Sequence, residues 1–465
     1  MPVSVPPSSR IPGSFRDPDG FVFLQDGTIY RQVNLRYQEN YDYLMRSGLY
    51  QNLVDQELLI PHEEVKLEAV SGEAYRILKP EPIPFISYPY EWSFSQLKDA
   101  ALAVLRIQKK SLRFGLSLKD ASAYNIQFRR GKPILIDTLS FEKYREDEPW
   151  VAYRQFCQHF LAPLSLMSYR DVRAGQFLRV YPDGIPLDLT SSLLPFWSRL
   201  NLGILSHIHL HAKGEKLLGE KNLAPHSMKM TLKGLAALMD HLESSVRKLN
   251  WRPQDHSWKN YYSTSGYSKT ALEHKKRVVA EWIQKVSPKN IWDLGANTGL
   301  FSRLGSSRGI ATVAFDADPA SVDQNYRDAV QSKETHLLPL WFDLTSPSPN
   351  LGWENKERMT LLERGPADLV LALAILHHLA FSNNLPFHRI ASFLHAISKF
   401  LMIEFVPISD PQARSLIFKR ENLFSSYHQE AFEEEFARYF FIEAPVKVQD
   451  SERLLYLMRR KETPL

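Results

Sequence analysis

The chain has 465 residues, 44% hydrophobic and 23% charged, an ordinary globular composition that exceeds one typical core and predicts two or three domains. Its 57 Lys and Arg against 52 Asp and Glu leave a net charge of +5, which neither requires nor excludes nucleic acid, and no motif indicates such a partner. Cys157 is the only cysteine, so an intrachain disulfide and a thiolate zinc site are excluded and a reducing, cytoplasmic setting is expected.

In chain order, residues 1–17 are rich in Pro and Ser, lack an apolar signal core, and predict a disordered tail. The stretch "FVFLQDGTIYRQV" sets Asp26-Gly27 between two apolar, β-rich runs and predicts a hairpin. Helical spacing follows from Tyr41 to Leu59, and again from Gln96 to Phe114, where Gly115 ends the run. Next come a polar loop, a hairpin around Arg130-Gly131-Lys132 and an apolar strand ending at Asp137. Residues 150–245 read as mainly helical, broken at Pro163, Pro182, Pro186 and Pro195. In "SHIHLHA", His207 and His211 have i, i+4 spacing, but no carboxylate or cysteine completes a metal set, so partly exposed histidines are expected. Residues 18–245 are thus expected to form an α+β domain, and 246–267 a polar, aromatic linker.

From Ser268 the pattern changes. Thr270 and Glu273 have capping-box spacing, and Val278, Val279, Trp282, Ile283 and Val286 make one apolar helical face, while "EHKKR" reads as a solvated basic face. Strand-like runs follow at Ile291–Leu294, Ala311–Phe315, His336–Phe342, Ala367–Leu373 and Phe400–Phe405, most of them separated by helix-length segments. Such alternation predicts a doubly wound α/β domain over 268–465 with a parallel sheet. The segment "AFEEEFARYFF" predicts an amphipathic helix with Phe432, Phe436 and either Tyr439 or Phe440 in the core, and "FFIEAPVKV" with "RLLYLMR" a closing antiparallel hairpin. The longest apolar run, Ala367 to Leu376, is about half of the ~20 residues of a bilayer span, so no membrane partner is expected.

The turn after the first of these strands reads "WDLGANTG". Gly295 and Gly299 remove Cβ where a ligand would come nearest, and Asn297 is among the few other residues that tolerate the left-handed region. Asp316 and Asp343 stand at the ends of the next two strands. This segment resembles the first motif of class I S-adenosylmethionine-dependent methyltransferases, with Asn297 where a third glycine is often found. The resemblance covers about residues 255–465 and implies a Rossmann-like, seven-stranded methyltransferase sheet with S-adenosylmethionine as cofactor. It implies that Asp293 orders the loop, that Gly295, Asn297 and Gly299 lie along the methionine and ribose, that Asp316 accepts the ribose hydroxyls, and that Asp343 meets the adenine amino group. A nicotinamide dehydrogenase would prefer Gly-x-Gly-x-x-Gly, a spacing this turn lacks. Trp258, Tyr261, Tyr262 and Tyr267 are candidates to cap the cofactor or to form a domain seam.

His377 and His378 follow the fourth strand, where the family often carries a histidine. Adjacent helical residues point about 100° apart, so one of the two at most faces the acceptor, either as general base or as packing around the cofactor. Glu404, after the fifth strand, is a candidate for the acceptor pocket or for an ion pair.

In the first half, "LKDASAYNIQF" and "PILIDTLSF" place Asp120, Asn125 and Asp137 in an order that resembles the catalytic loop and metal strand of protein-kinase-like and aminoglycoside-phosphotransferase-like enzymes. That resemblance implies Asp120 as base, with Asn125 and Asp137 holding magnesium against ATP. Lys119 and Thr138-Leu139 depart from the pattern, and no glycine-rich phosphate loop precedes it. A degenerate kinase-like domain that helps to bind the acceptor is therefore expected. The function expected for the whole chain is methyl transfer to an O or N acceptor, which the sequence leaves open among glycan, small metabolite, protein and RNA. The alternatives are a bifunctional phosphotransferase-methyltransferase using Mg-ATP and a non-enzymatic S-adenosylmethionine-binding module.

Overall fold

The computed structural model describes residues 10–67, 72–213, 229–253, 268–417 and 427–463. It divides into two compact units, Met1–Arg252 with Asn350–Arg358, and Pro253–Pro349 with Met359–Leu465.

In the first unit, β1 (Gly20–Gln25) and β2 (Thr28–Asn34) form the predicted antiparallel hairpin. Asp26 and Gly27 both have positive φ, 49° and 74°, the conformation that matches the right-handed twist of paired strands. With β3 (His62–Val65) and β4 (Ala74–Pro80) the sheet order is β1-β2-β4-β3. The helix expected over 41–59 is two helices, Gln38–Arg46 and Leu49–Asp55, because Gly48 takes φ +81° between them. Tyr37 and Tyr41 pack with Val33, Leu78 and Leu139 beneath this sheet. The long helix, Phe94–Arg113, begins at Ser93, whose hydroxyl accepts from the Gln96 amide while the Gln96 side chain accepts from Ser93 N. Beyond it β5 (Leu116–Leu118) pairs with β8 (Phe141–Lys143), and β6 (Ile126–Arg129) with β7 (Lys132–Leu135).

Short helical segments continue from Tyr153, and Leu232–Lys248 is the last helix of this unit among the described residues. His207 and His209, expected to be partly exposed, are buried. His207 is satisfied by the Tyr153 hydroxyl and His241, and His209 by Ser191 and Ser198, so packing rather than hydration meets their polar demand. Asn350–Arg358 belongs to this unit, where Arg358 lies 4.0 Å over the Tyr124 ring and Glu357 pairs with Arg16.

The second unit opens with helix Lys269–Val286, capped by Ser268 rather than Thr270: the Ser268 hydroxyl accepts from Ala271 N at 3.0 Å, which leaves Thr270 inside the first turn. The strands are β9 (Asn290–Leu294), β10 (Ala311–Asp316), β11 (Leu337–Trp341), β12 (Ala367–Ala372), β13 (Ser398–Phe405), β14 (Phe440–Ile442), β15 (Val446–Lys447) and β16 (Leu454–Arg460). Their order is β11-β10-β9-β12-β13-β16-β14, with the short β15 an eighth strand beside β16. The first five run parallel, and β16 enters antiparallel between β13 and β14. Val278, Val279 and Ile283 of the opening helix cover Ile291, Leu369, Leu371 and Met402 on one face of the sheet. Helix Gln429–Ala437 buries Phe432 and Phe436, and Phe440 rather than Tyr439 joins the core. The chain leaves β9 toward β10 and β11, then returns to the other side of β9 at β12. Their connections diverge at that reversal, and a crevice opens beyond the carboxyl ends of the strands.

Candidate functional site

The crevice is built by the turn that follows β9. Gly295 and Ala296 both donate to the Phe315 carbonyl at 2.9 Å, which stitches the turn to β10. Gly295, Asn297 and Gly299 take φ of +73°, +51° and +81°, so Asn297 adopts the left-handed conformation its identity predicts. Asn297 N then donates to Asp316 Oδ2 at 2.6 Å, and Asp318 N donates to Asp316 Oδ1 at 2.8 Å. Asp316 is thereby tied to the turn. Asp293 is buried behind it and accepts from the Ser302 hydroxyl at 2.6 Å. Burial pushes both carboxyls up to about 6; hydrogen bonds from Ser302 in one case and the Asp318 and Asn297 amides in the other oppose the shift.

A cavity of about 430 Å³ lies over this turn. Gly295, Asn297, Asp316 and Asp343 reach its wall, and so does Asp293 from below. Asp343 is exposed and accepts from Thr345 N and Oγ1 at 2.8 and 2.7 Å, which shapes the rim. Gly299 is not on the wall. A Cβ there would stand 2.6 Å from Asn325 Nδ2 and 2.7 Å from Arg303 Nη1, so this glycine admits the neighbouring helix rather than a ligand. Gly299→Val is expected to cost about 3 kcal/mol through overpacking and backbone strain, lowering the thermal midpoint by roughly 6–12 °C. A midpoint equal to that of the unsubstituted chain would disprove this account of the glycine.

The opposite wall comes from the turn after β12. Ala374 has φ +54°, a conformation that costs a non-glycine residue about 1 kcal/mol or more, beside Ile375 and His378. His378 faces the cavity, whereas His377 is fully buried with neither ring nitrogen hydrogen-bonded. The two rings are 4.3 Å apart, and burial holds both below the usual histidine range, His377 far below it.

Glu404 does not reach the cavity. It is wholly buried, 2.6 Å from Lys275 Nζ and 3.8 Å from Arg453 Nη1, and Arg453 in turn holds Asp410 at 2.7 Å. Lys275 does line the cavity, with its pKa lowered by burial against the opposing pull of Glu404. The basic run "EHKKR" therefore has one member inside. The signal was present: Ala271, Lys275 and Val279 lie four apart, so Lys275 falls on the buried stripe.

In the first unit, Asp137 is 2.7 Å from Arg31 Nη2 and accepts from Leu139 N and the Ser140 hydroxyl. Asn125 Nδ2 reaches that same hydroxyl at 3.5 Å, so Ser140 links two of the three expected residues. Asp120 instead accepts from Ser122 N at 2.9 Å and orders its own loop. Asp17 shares Arg31 at 3.1 Å, and the guanidinium thus takes up the charge of two carboxylates. Trp258, Tyr261, Tyr262 and Tyr267 lie outside the described residues.

No family model matches the chain. Nodulation protein NoeA of Rhizobium meliloti (strain 1021) is 32% identical over 474 residues, an alignment that spans 99% of this chain and 98% of that protein. The chain belongs to the NoeA family. Among solved structures, magnesium protoporphyrin IX methyltransferase from Synechocystis PCC 6803 with bound SAH matches 44% of this NoeA-family chain and 92% of its own, at 17% identity and a TM-score of 0.32. N-methyltransferase NodS from Bradyrhizobium japonicum WM9 matches 42% and 99%, at 11% identity and a TM-score of 0.31.

The second unit carries the doubly wound sheet, closed by antiparallel strands, that the resemblance to class I S-adenosylmethionine-dependent methyltransferases implies. The residues present fit the cofactor. Each Asp316 oxygen already holds one backbone amide and keeps acceptor capacity for a ribose hydroxyl. At Gly295 a Cβ would meet Ile375 Cδ1 at 3.0 Å, so a side chain there would crowd the opposite wall of the cavity.

Proposed function

We propose that this NoeA-family chain transfers the methyl group of S-adenosylmethionine to an O or N nucleophile. The observation that carries the proposal is Asp316, anchored through Oδ2 to Asn297 N of the glycine turn and through Oδ1 to Asp318 N, and presented at the cavity wall at the carboxyl end of β10. When bound there, the cofactor supplies an electrophilic sulfonium methyl. The chain's own part is to fix the ribose on Asp316, order the turn through Asp293 and Ser302, exclude water, and align the acceptor. Asp343, at the rim, is proposed to meet the adenine amino group. His378 faces the cavity from the far wall, and its lowered pKa keeps the imidazole neutral and able to take a proton from an acceptor that must lose one. His377 packs behind it.

The acceptor is proposed to be a molecule of nodulation, a reading supported by the relative's name, with glycan, small metabolite, protein and RNA as the classes to separate. The N-terminal unit is proposed to be kinase-like and to hold the acceptor. Incubation of the chain with radiolabelled S-adenosylmethionine and fractionated nodulating-cell extract is expected to label one fraction, and Asp316→Ala to abolish the label. Tight cofactor binding without label in any fraction would instead identify a binding module. For His378→Ala, kcat is expected to fall roughly 100-fold with the cofactor Kd within about twofold, while His377→Ala shifts stability first. Equal losses of kcat in the two variants would remove His378 from proton transfer.

A second reading, phosphotransfer from Mg-ATP in the first unit, is favoured by the link from Asn125 through Ser140 to Asp137. It requires ATP turnover that Asp137→Ala eliminates. Turnover absent from the purified chain would end it.

A further inference from the structure

We infer that the segment Leu193–Leu210 of the N-terminal unit is an attachment site for an anionic bilayer surface. Single exposed apolar residues are normal on soluble proteins, but contiguous ones mark interaction surfaces. Here Phe196, Trp197, Leu200 and Leu202 are 75%, 60%, 82% and 73% exposed.

This exposure is built in. The turn Phe196–Leu200 is pinned from within by Ser198, whose buried hydroxyl donates to Pro195 O at 2.6 Å and lies 2.8 Å from His209 Nε2. Asn201 then accepts from Gly203 N and Ile204 N and starts the next turn, which sends Ile204 inward and Leu202 outward. Polar groups anchor the segment and apolar ones face out, the reverse of the usual arrangement.

Charge selects the occupant. From Leu189 to Lys213 the chain has no Asp or Glu, while Arg199 lies 5.2 Å over the Phe196 ring and Arg170 donates to Leu193 O at the edge of the patch. Burial lowers the His209 pKa, and Arg199 and Lys213 add to that shift, so both cations lie near this anchoring residue. Exposed Trp, Phe and Leu beside Arg199 and Arg170 match the interfacial zone of an anionic bilayer, where rings sit at headgroup level and cations meet lipid phosphate. A twofold pairing with a second copy would instead bring this segment against itself, with no Asp or Glu between Leu189 and Lys213 to meet its cations. Among the described residues no helix is long and apolar enough to cross a membrane, so the attachment is to the surface. The sequence expectation of no membrane partner rested on span length, a criterion that does not bear on surface binding.

The test is cosedimentation of the full chain with vesicles of phosphatidylcholine alone or mixed equally with phosphatidylglycerol. Binding is expected on the mixed vesicles, weakened roughly tenfold or more by Trp197→Ser with Leu200→Ser, and weakened by Arg199→Glu. Because these side chains are exposed, the thermal midpoint of each variant should match that of the unsubstituted chain. The proposal is overturned if mixed vesicles bring down no protein, or if the apolar double variant binds as well as the unsubstituted chain. It is also overturned if sedimentation velocity shows a dimer that the double variant abolishes, since the face would then belong to a second copy.

Discussion

Replacing Asp316 with alanine is expected to weaken binding of S-adenosylhomocysteine roughly 100-fold, equivalent to about 3 kcal/mol, when titrated calorimetrically at pH 7.5 or so. The carboxylate is proposed to accept two ribose hydroxyls while already holding the Asn297 and Asp318 amides, so the substitution removes two charge-assisted bonds and frees two turn donors. The same site predicts a pH dependence. Burial raises the Asp316 carboxyl to about 6, and the charged form is the better acceptor, so affinity should fall as pH drops through about 6. Asp316→Asn should bind weakly with no such trend. Stability of the free chain runs the opposite way. The native state holds the Asp293 and Asp316 protons more tightly than the unfolded chain does, so the stability associated with them is present below about pH 4 and is lost as pH rises through about 6. Ligand-induced thermal stabilisation should therefore grow between pH 5 and pH 7, roughly speaking. A pH-independent affinity would show that Asp316 does not hold the ribose.

Lys275→Met is the second large effect. It leaves the wholly buried Glu404 carboxylate without its partner at 2.6 Å, and breaking a buried ion pair from one side costs about 3 kcal/mol or more. The expected signature is a fall of roughly 6–12 °C in the thermal midpoint. Adding Glu404→Leu to the first substitution should recover much of it, because an apolar pair of similar volume removes the stranded charge. A single variant as stable as the unsubstituted chain would mean that the pair does not form. Methyl transfer tests a separate matter, since Lys275 also reaches the cavity wall: recovery of stability without recovery of cofactor affinity would assign its ammonium a contact with the ligand.

The parts of the site legible beforehand share one property, that their cause is local. A positive φ must be met by the residue that adopts it, so Gly295 and Asn297 announce their turn. An acid at a strand end is placed by strand length, and Asp316 closes β10 on the register expected. The hairpin at Asp26-Gly27 and the long helix ended by Gly115 are legible for the same reason. What escaped involves partners far apart in the chain. Gly299 looked like a ligand contact, and only the approach of Asn325 shows otherwise. His207 and His209 looked exposed until Tyr153, His241, Ser191 and Ser198 closed around them.

The sequence by itself determined the alternation of strands and helices, and the turn and acid that stand at the strand ends. These follow from periodicity and backbone sterics within a few residues. Only the tertiary structure decided that His378 and not His377 faces the cavity, that Glu404 is sealed against Lys275, and that Arg31 meets Asp137. Each of those outcomes depends on which charges and rings the packed core brings together and removes from water, a balance of desolvation against pairing that no short stretch of chain contains.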